Sequence, residues 1–212
     1  DHRDLHSFPT RRSSDLVIRN VPLKKTEIRS SREFTHQILY QGAVNKGRGI
    51  ELLIQSLQFF KEANLVIAGM GDEYLKMQDL VRELGLTDRI TFLGHVPYDL
   101  LHKITRQAAV GVSLEEDMGL NYRFALPNKI FDYIQSGVPV VVSNLPVMAG
   151  LVNNFQVGEV LFERTPEMLA QTLRRVIENR NNQNYEHNLK IASETLNWDN
   201  EKQKFLSIFG SF

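Results

Sequence analysis

The 212-residue chain is 42% hydrophobic and 24% charged, which supplies a real core for one domain with extensions and excludes a disordered tail. Its 25 Lys/Arg balance 25 Asp/Glu, so a broad electrostatic grip on nucleic acid or anionic lipid is excluded and any bound anion must be held locally. With no cysteine there is no disulfide framework or thiolate site, and no apolar run approaches the roughly 18 residues of a membrane span; a cytoplasmic location is the expectation.

Residues 1–16 (DHRDLHSFPTRRSSDL) carry neither strand nor helix periodicity and begin on Asp. Within them His6–Leu16 (HSFPTRRSSDL) resembles one reading frame of a widely used short-read sequencing adapter, so this leader is read as non-native and set aside. Val17–Leu23 (VIRNVPL) reads as a short strand ended by an Asn and Pro turn, and Lys24–Glu33 as linker, making 17–33 a junction. A domain is expected over 34–180, followed by a helical tail over 181–212.

From His36 strand and helix patterns alternate. His36–Gln41 (HQILYQ) precedes a helical stripe of Ile50, Leu53, Ile54, Leu57 and Phe60, and Leu65–Ala68 (LVIA) precedes Met77, Leu80, Val81 and Leu84. Ile90–Leu93 is followed by a short helix through Leu100, Leu101 and Ile104, then Val110–Leu114 (VGVSL). Ile130, Phe131 and Ile134 share a helix face capped by Gly137, ahead of the very apolar Val138–Ser143 (VPVVVS). Val157–Phe162 is the last strand, and Thr165-Pro166 opens a helix as N-cap and first-turn proline. Strands buried on both faces and separated by helices predict an α/β, doubly wound parallel sheet of Rossmann-like type.

In such a sheet ligands collect at the carboxyl ends of the strands. Gly42–Gly49 (GAVNKGRG) after the first strand offers three glycines, Lys46 and Arg48, suited either to a diphosphate or to an ordinary turn with solvated charges. Gly69 and Gly71 follow the second strand without the spacing of a dinucleotide fingerprint, so a tight turn competes with nucleotide contact there. His95 and Val96 follow the third strand, where backbone groups could meet a base edge. Glu115, Glu116 and Asp117 follow the fourth, but carboxylates adjacent in sequence rarely converge on one ion, and no metal is expected. If Asn128–Ser136 is helical, Asn128 and Lys129 occupy its first turn, where amides and charge favour an anion. Asp132, one turn on, can accept from a hydroxyl. On residue types alone Asn128 serves equally as a cap and Asp132 as a solvated carboxylate.

Arg48-Gly49, Leu65–Glu73 (LVIAGMGDE), Leu84–Pro97 (LGLTDRITFLGHVP), Asn128–Ser143 (NKIFDYIQSGVPVVVS) and the Trp198 helix, in this order, resemble the C-terminal, donor-binding domain of glycosyltransferase family 4 (group 1), the retaining GT-B enzymes. The match runs over roughly residues 17–209, with Val17–Leu23 at the junction between the two domains of such enzymes. The resemblance implies sugar transfer from a nucleotide-sugar donor in polysaccharide or glycoconjugate synthesis, with no cofactor beyond that substrate. It assigns Arg48, Gly49, Asn128 and Lys129 to the donor diphosphate, and Gly69, Gly71, His95 and Val96 to the nucleotide. Asp132 stands at the second Glu of the family's E-x7-E pattern; Phe124 occupies the first position, and Glu116 is the candidate replacement. The partners implied are the nucleotide sugar and an N-terminal acceptor domain absent from this chain, with no nucleic acid. The chain alone is therefore expected to bind donor weakly or not at all and to lack turnover. Peripheral membrane association of the full-length enzyme and self-association of the fragment stay open, as do two other readings, a GT-B nucleotide-sugar epimerase and a non-catalytic doubly wound interaction module.

Overall fold

The computed structural model describes residues 19–23, 36–180 and 183–209, the side chains of 183, 208 and 209 excepted. The adapter-like leader and the linker at 24–33 lie outside the described residues. In chain order the elements are β1 (Gln37–Gln41), α1 (Ile50–Ser56), β2 (Asn64–Ala68), α2 (Tyr74–Glu83), β3 (Ile90–Gly94), α3 (Tyr98–Gln107), β4 (Val110–Ser113), α4 (Leu120–Arg123), α5 (Asn128–Gln135), β5 (Val140–Ser143), α6 (Pro146–Phe155), β6 (Gly158–Leu161), α7 (Pro166–Asn179), α8 (Gln183–Thr195) and α9 (Trp198–Phe209).

The six strands pair in parallel in the order β3-β2-β1-β4-β5-β6. Alternation along β1 sends Ile38 and Tyr40 to one face and Leu39 to the other. On the first face they meet α1, α2 and α7 through Leu53, Met77 and Leu173; on the second they meet α5, α6 and α8 through Ile130, Val152 and Leu189. Both faces being covered is what requires near-continuous apolar strands such as Val140–Val142.

Strand order reverses between β1 and β4, where the ladder holds only Ile38↔Val110 and Leu39↔Gly111, against five paired positions between β1 and β2. Beyond it the Tyr133 hydroxyl, from α5, accepts from the Gln41 N–H at 3.1 Å, its proton shared between the carbonyls of Leu39 at 3.1 Å and Val112 at 3.4 Å. A side chain thus completes the backbone bonding where the strands part, and the crevice at this switch point is where ligands of open α/β sheets bind.

Local signals explain two helix ends. Thr165 caps α7 by accepting from the Met168 N–H at 3.3 Å, with Pro166 at the first helical position. Helix α5 ends in a Schellman motif: the Val138 N–H reaches the Tyr133 carbonyl, the Gly137 N–H reaches that of Ile134, and Gly137 takes φ 64°. An added Cβ at Gly137 meets nothing within 4 Å, so Gly137→Ala isolates the left-handed backbone cost. It is expected to lose about 1 kcal/mol, or roughly 2–4 °C of melting temperature followed by circular dichroism.

Two local readings are corrected, and one helix is added. Residues 19–23 are irregular, not strand: Trp198 donates its N–H to the Pro22 carbonyl at 2.9 Å, while Arg19 pairs with the buried Glu201 of α9. The first helix stops at Ser56, and Leu57–Phe60 continue as tight turns that still bury Leu57 and Phe60. Helix α6 was not legible, since Leu145 at its N-cap offers no side-chain acceptor and Gly150 interrupts its middle, and burial of Met148, Leu151 and Val152 stabilises it instead. Among the described residues no helix is long and apolar enough to cross a membrane.

Candidate functional site

The loops after β1 and β4 are joined at the carboxyl rim of the sheet. Gly47 accepts from the Glu116 N–H at 2.9 Å, and Gly49, the N-cap of α1, lies so close to the Leu114 carbonyl that no side chain fits. This places Arg48 beside Glu115, its guanidinium 3.5 Å from the carboxylate and 5.6 Å from the centre of the Tyr122 ring. The Arg48 Nε is buried without a hydrogen-bond partner.

Helix α5 supplies the second cation. It begins at Asn128 with extended Pro127 as N-cap and no capping side chain, so Asn128 belongs to the first turn and does not cap it. Its Oδ1 accepts from Asn20 of the junction at 3.3 Å. Lys129 follows and turns inward: its side chain is 9% exposed, its Nζ lies 2.9 Å from the Glu115 Oε1 and 4.4 Å from the centre of the Tyr40 ring. Arg48 and Lys129, distant in sequence, thus meet at one carboxylate oxygen.

Glu115 itself is fully buried, and its second oxygen accepts from the Ser113 Oγ at 2.7 Å. Burial opposes its ionisation, but the charge and hydrogen bond of Lys129 and the hydrogen bond of Ser113 outweigh it, holding the carboxyl below its usual range. Burial also dominates at Lys129 and draws the ammonium down, Glu115 opposing and Arg48 assisting. Arg164, after β6, closes the arrangement by donating to the carbonyls of Leu114 at 3.1 Å and Glu115 at 3.3 Å and to the Ser143 Oγ at 2.5 Å. It therefore clamps the ends of β4 and β5 together.

Asp132, one turn along α5, is half-buried and accepts from the Gln41 Nε2 at 3.3 Å, and Gln41 is fixed in turn by Thr105 Oγ1 at 2.8 Å. A small pocket opens here, lined by Gln41, Tyr98, Leu101, His102, Asp132 and Ser136. Glu116 is exposed, 3.9 Å from Arg164, outside the ring of cations around its neighbour. Gly69 and Gly71 let the β2 loop press against Gly42 and Val44, where the Gly42 N–H bonds Ala68 and that of Val44 bonds Met70. His95 is exposed at the end of β3 and Val96 packs against the core; neither joins the Glu115 cluster.

The rim therefore gathers Arg48, Gly49 and Lys129, with Asn128 and Asp132 on the same helix. Arg164 and Gln41 were not singled out from sequence, and Glu115 was weighed only with Glu116 and Asp117 for a metal site. A signal for Glu115 existed, since strand alternation carried one step past β4 puts it on the same side as Ser113. Such an arrangement can offer two cations and the amides of a helix start to a polyanion, beside a carboxylate able to hold a hydroxyl.

The family described as glycosyl transferases group 1 matches residues 24–195. An uncharacterized glycosyltransferase of Methanocaldococcus jannaschii is 29% identical over 179 residues, 81% of this chain and 44% of that protein. The O-antigen chain mannosyltransferase RfbU of Salmonella typhimurium is 27% identical over 134 residues, 62% of this chain and 36% of that protein. The chain thus spans less than half the length of the curated relatives it matches. Among solved structures, HepE of Anabaena in complex with UDP superposes with a TM-score of 0.71 at 18% identity, covering 84% of this chain and 50% of that one. The lipopolysaccharide outer core galactosyltransferase WaaB superposes at 0.72 and 20%, covering 93% and 56%. These likenesses show the Rossmann-like fold of GT-B glycosyltransferases.

Proposed function

The chain belongs to the group 1 glycosyl transferases, and from that premise we propose that it is the donor-binding half of a retaining, family 4-like enzyme. Its donor is a nucleotide-diphosphate sugar, and its product a polysaccharide or glycoconjugate. The observation that supports this reading is the convergence of Arg48 and Lys129 on one oxygen at the start of α5. When the bond between the anomeric carbon and the donor phosphate breaks, its electron pair stays on the phosphate oxygen. Two fixed cations and the amides of the α5 start are then poised to stabilise the diphosphate as its charge grows. Asn128 shares that contact, and Asp132, held by Gln41, accepts from a donor hydroxyl. Glu116 has the solvent access to work beside them, and no step calls for a metal or cofactor. Gly69, Gly71, His95 and Val96 border the nucleotide in this arrangement. The acceptor side of the cleft comes from an N-terminal partner domain, so the 212-residue chain alone binds donor weakly and does not turn it over. The Salmonella relative's role in O-antigen assembly supports a surface-polysaccharide product.

Titration of UDP, GDP and ADP, followed by calorimetry and amide NMR up to the order of millimolar nucleotide, tests the site. One of the three is expected to bind. Arg48→Ala is expected to weaken it by about 1.5–3 kcal/mol, roughly 10- to 150-fold, while the matching uncharged nucleoside is unaffected. Binding that is indifferent to Arg48, or that involves no nucleoside diphosphate in an intact fold, would refute the assignment.

A further inference from the structure

A carboxylate at the centre of an anion site is a paradox. Glu115 is fully buried against the two cations that the diphosphate reading needs, and there it repels the ligand. The paradox resolves through Lys129. A lysine 9% exposed is disfavoured in its charged form by burial, and the Tyr40 ring face 4.4 Å away offsets only part of that cost, so the ammonium needs a counter-charge. A neutral amine at the start of α5 would offer a phosphate almost nothing.

We propose that Glu115 is a positioning residue, an internal counter-ion that keeps the Lys129 ammonium charged and aimed at the rim in the empty site and yields it to the donor diphosphate. The inference rests on the diphosphate reading above and deepens it.

Three observations carry it. First, the carboxylate is held independently of the cations it serves, by Ser113 Oγ at 2.7 Å on its other oxygen and by Arg164 on its own backbone carbonyl. It can therefore release Lys129 without collapsing. Second, one carboxylate faces two cations, and the Arg48 Nε remains buried without an acceptor, so the cluster has unmet capacity for a further anion. Third, other charged groups cannot replace it. Arg48, from the β1 loop, is a like charge that disfavours the ammonium, and Tyr40, from β1, is a phenol that burial and Glu115 keep neutral. Of the remaining groups, Tyr133 is likewise kept neutral, Asp132 is engaged by Gln41, Glu116 is turned to Arg164, and Arg164 carries the same sign as Lys129. A buried ion pair by itself is weak evidence for any role, so the test must read something that a structural pair would not move.

That readout is the protonation of Lys129, followed by the 13Cε chemical shift over a pH series in the full chain. The signal is assigned by its loss in Lys129→Met. In the wild type, Lys129 is expected to stay protonated through neutral pH with or without the nucleoside diphosphate that binds, UDP here standing for whichever of UDP, GDP and ADP the titration selects. In Glu115→Gln its midpoint is expected about two pH units or more lower, and UDP is expected to raise it again, because the diphosphate then supplies the missing anion. By linkage, the UDP affinity of Glu115→Gln is expected to fall about tenfold per pH unit above that midpoint, a slope absent from the wild type. Glu115→Asp is expected to restore the wild-type profile.

An unchanged Lys129 midpoint in Glu115→Gln, with Arg48→Ala still weakening UDP, overturns the inference and leaves the diphosphate site standing. A lowered midpoint that UDP does not raise, with UDP binding indifferent to Arg48, overturns the diphosphate reading and the hand-over together. Should Glu115→Gln fail to fold, Glu115→Gln/Lys129→Met is expected to recover a cooperative melt, because the stranded charge is gone. A double variant as unstable as the single one counts against the counter-ion role.

Discussion

Lys129→Met is expected to lower the melting temperature by roughly 6–12 °C, about 3 kcal/mol for a chain of this size, and to abolish detectable nucleoside diphosphate binding. The cost comes from what remains. Glu115 is fully buried, and without Lys129 it keeps Arg48 at 3.5 Å, the Ser113 hydroxyl and a backbone N–H but no close ammonium. The sign of the pH dependence follows from the direction of its shift. In the wild type the carboxyl is held below its ordinary range, so its contribution is complete above the unfolded value and is lost only in acid, as pH falls through the lower folded value. In Lys129→Met burial prevails and the folded carboxyl rises above the unfolded value. The deficit against the wild type is then largest near pH 8 and narrows on acidification, as the buried acid takes up its proton. Thermal melts of both proteins at pH 5.5 and pH 8 check this, and a deficit that does not vary with pH would show that lost packing, not a stranded charge, sets the cost.

The second large effect is expected at Tyr133. Tyr133→Ala should cost about 3–5 kcal/mol by chemical denaturation, from the cavity its ring leaves and from the stranded Gln41 N–H. Tyr133→Phe separates the two contributions: it keeps the ring, removes the hydroxyl, and is expected to cost about 1–3 kcal/mol. Gly111 provides an internal check, because the ring lies directly against it and leaves no room for a Cβ. Gly111→Ala should therefore be clearly destabilising in the wild type and far milder beside Tyr133→Ala, a coupling that a double-mutant cycle measures. Additive costs would mean that ring and glycine do not share one space. The effect reaches the site, since Gln41, whose N–H Tyr133 holds, also carries the amide that fixes Asp132.

Much of this architecture was legible because its signals are local. Ile38 to Tyr40, Val66 to Ala68 and Val140 to Val142 are apolar runs of strand length, and Thr165-Pro166 and Gly137 mark helix ends through bonds made within a few residues. Arg48 and Lys129 were legible for the same reason, as cations in a loop and at a helix start that a parallel sheet must bring to one rim. Helix α6 escaped because Pro146 at its first position is its one start signal, Leu145 before it offers no capping side chain, and Gly150 weakens its middle, so the surfaces it packs on decide it. Residues 19–23 misled because an apolar segment beside a proline reads as strand when its actual partners, Trp198 and Glu201, lie far along the chain.

Residue order alone determined a parallel α/β sheet, the rim on which its chemistry gathers, and two of the cations there, since periodicity, turn residues and charge act over short stretches of chain. Strand alternation put Glu115 on the side of Ser113, but tertiary structure decided that it, of Glu115, Glu116 and Asp117, became the buried, paired carboxylate. The three are chemically near-equivalent neighbours, and only the register of β4 against β1, together with Lys129 arriving from α5 and Arg164 from beyond β6, made one of them buried and compensated while leaving the next in water.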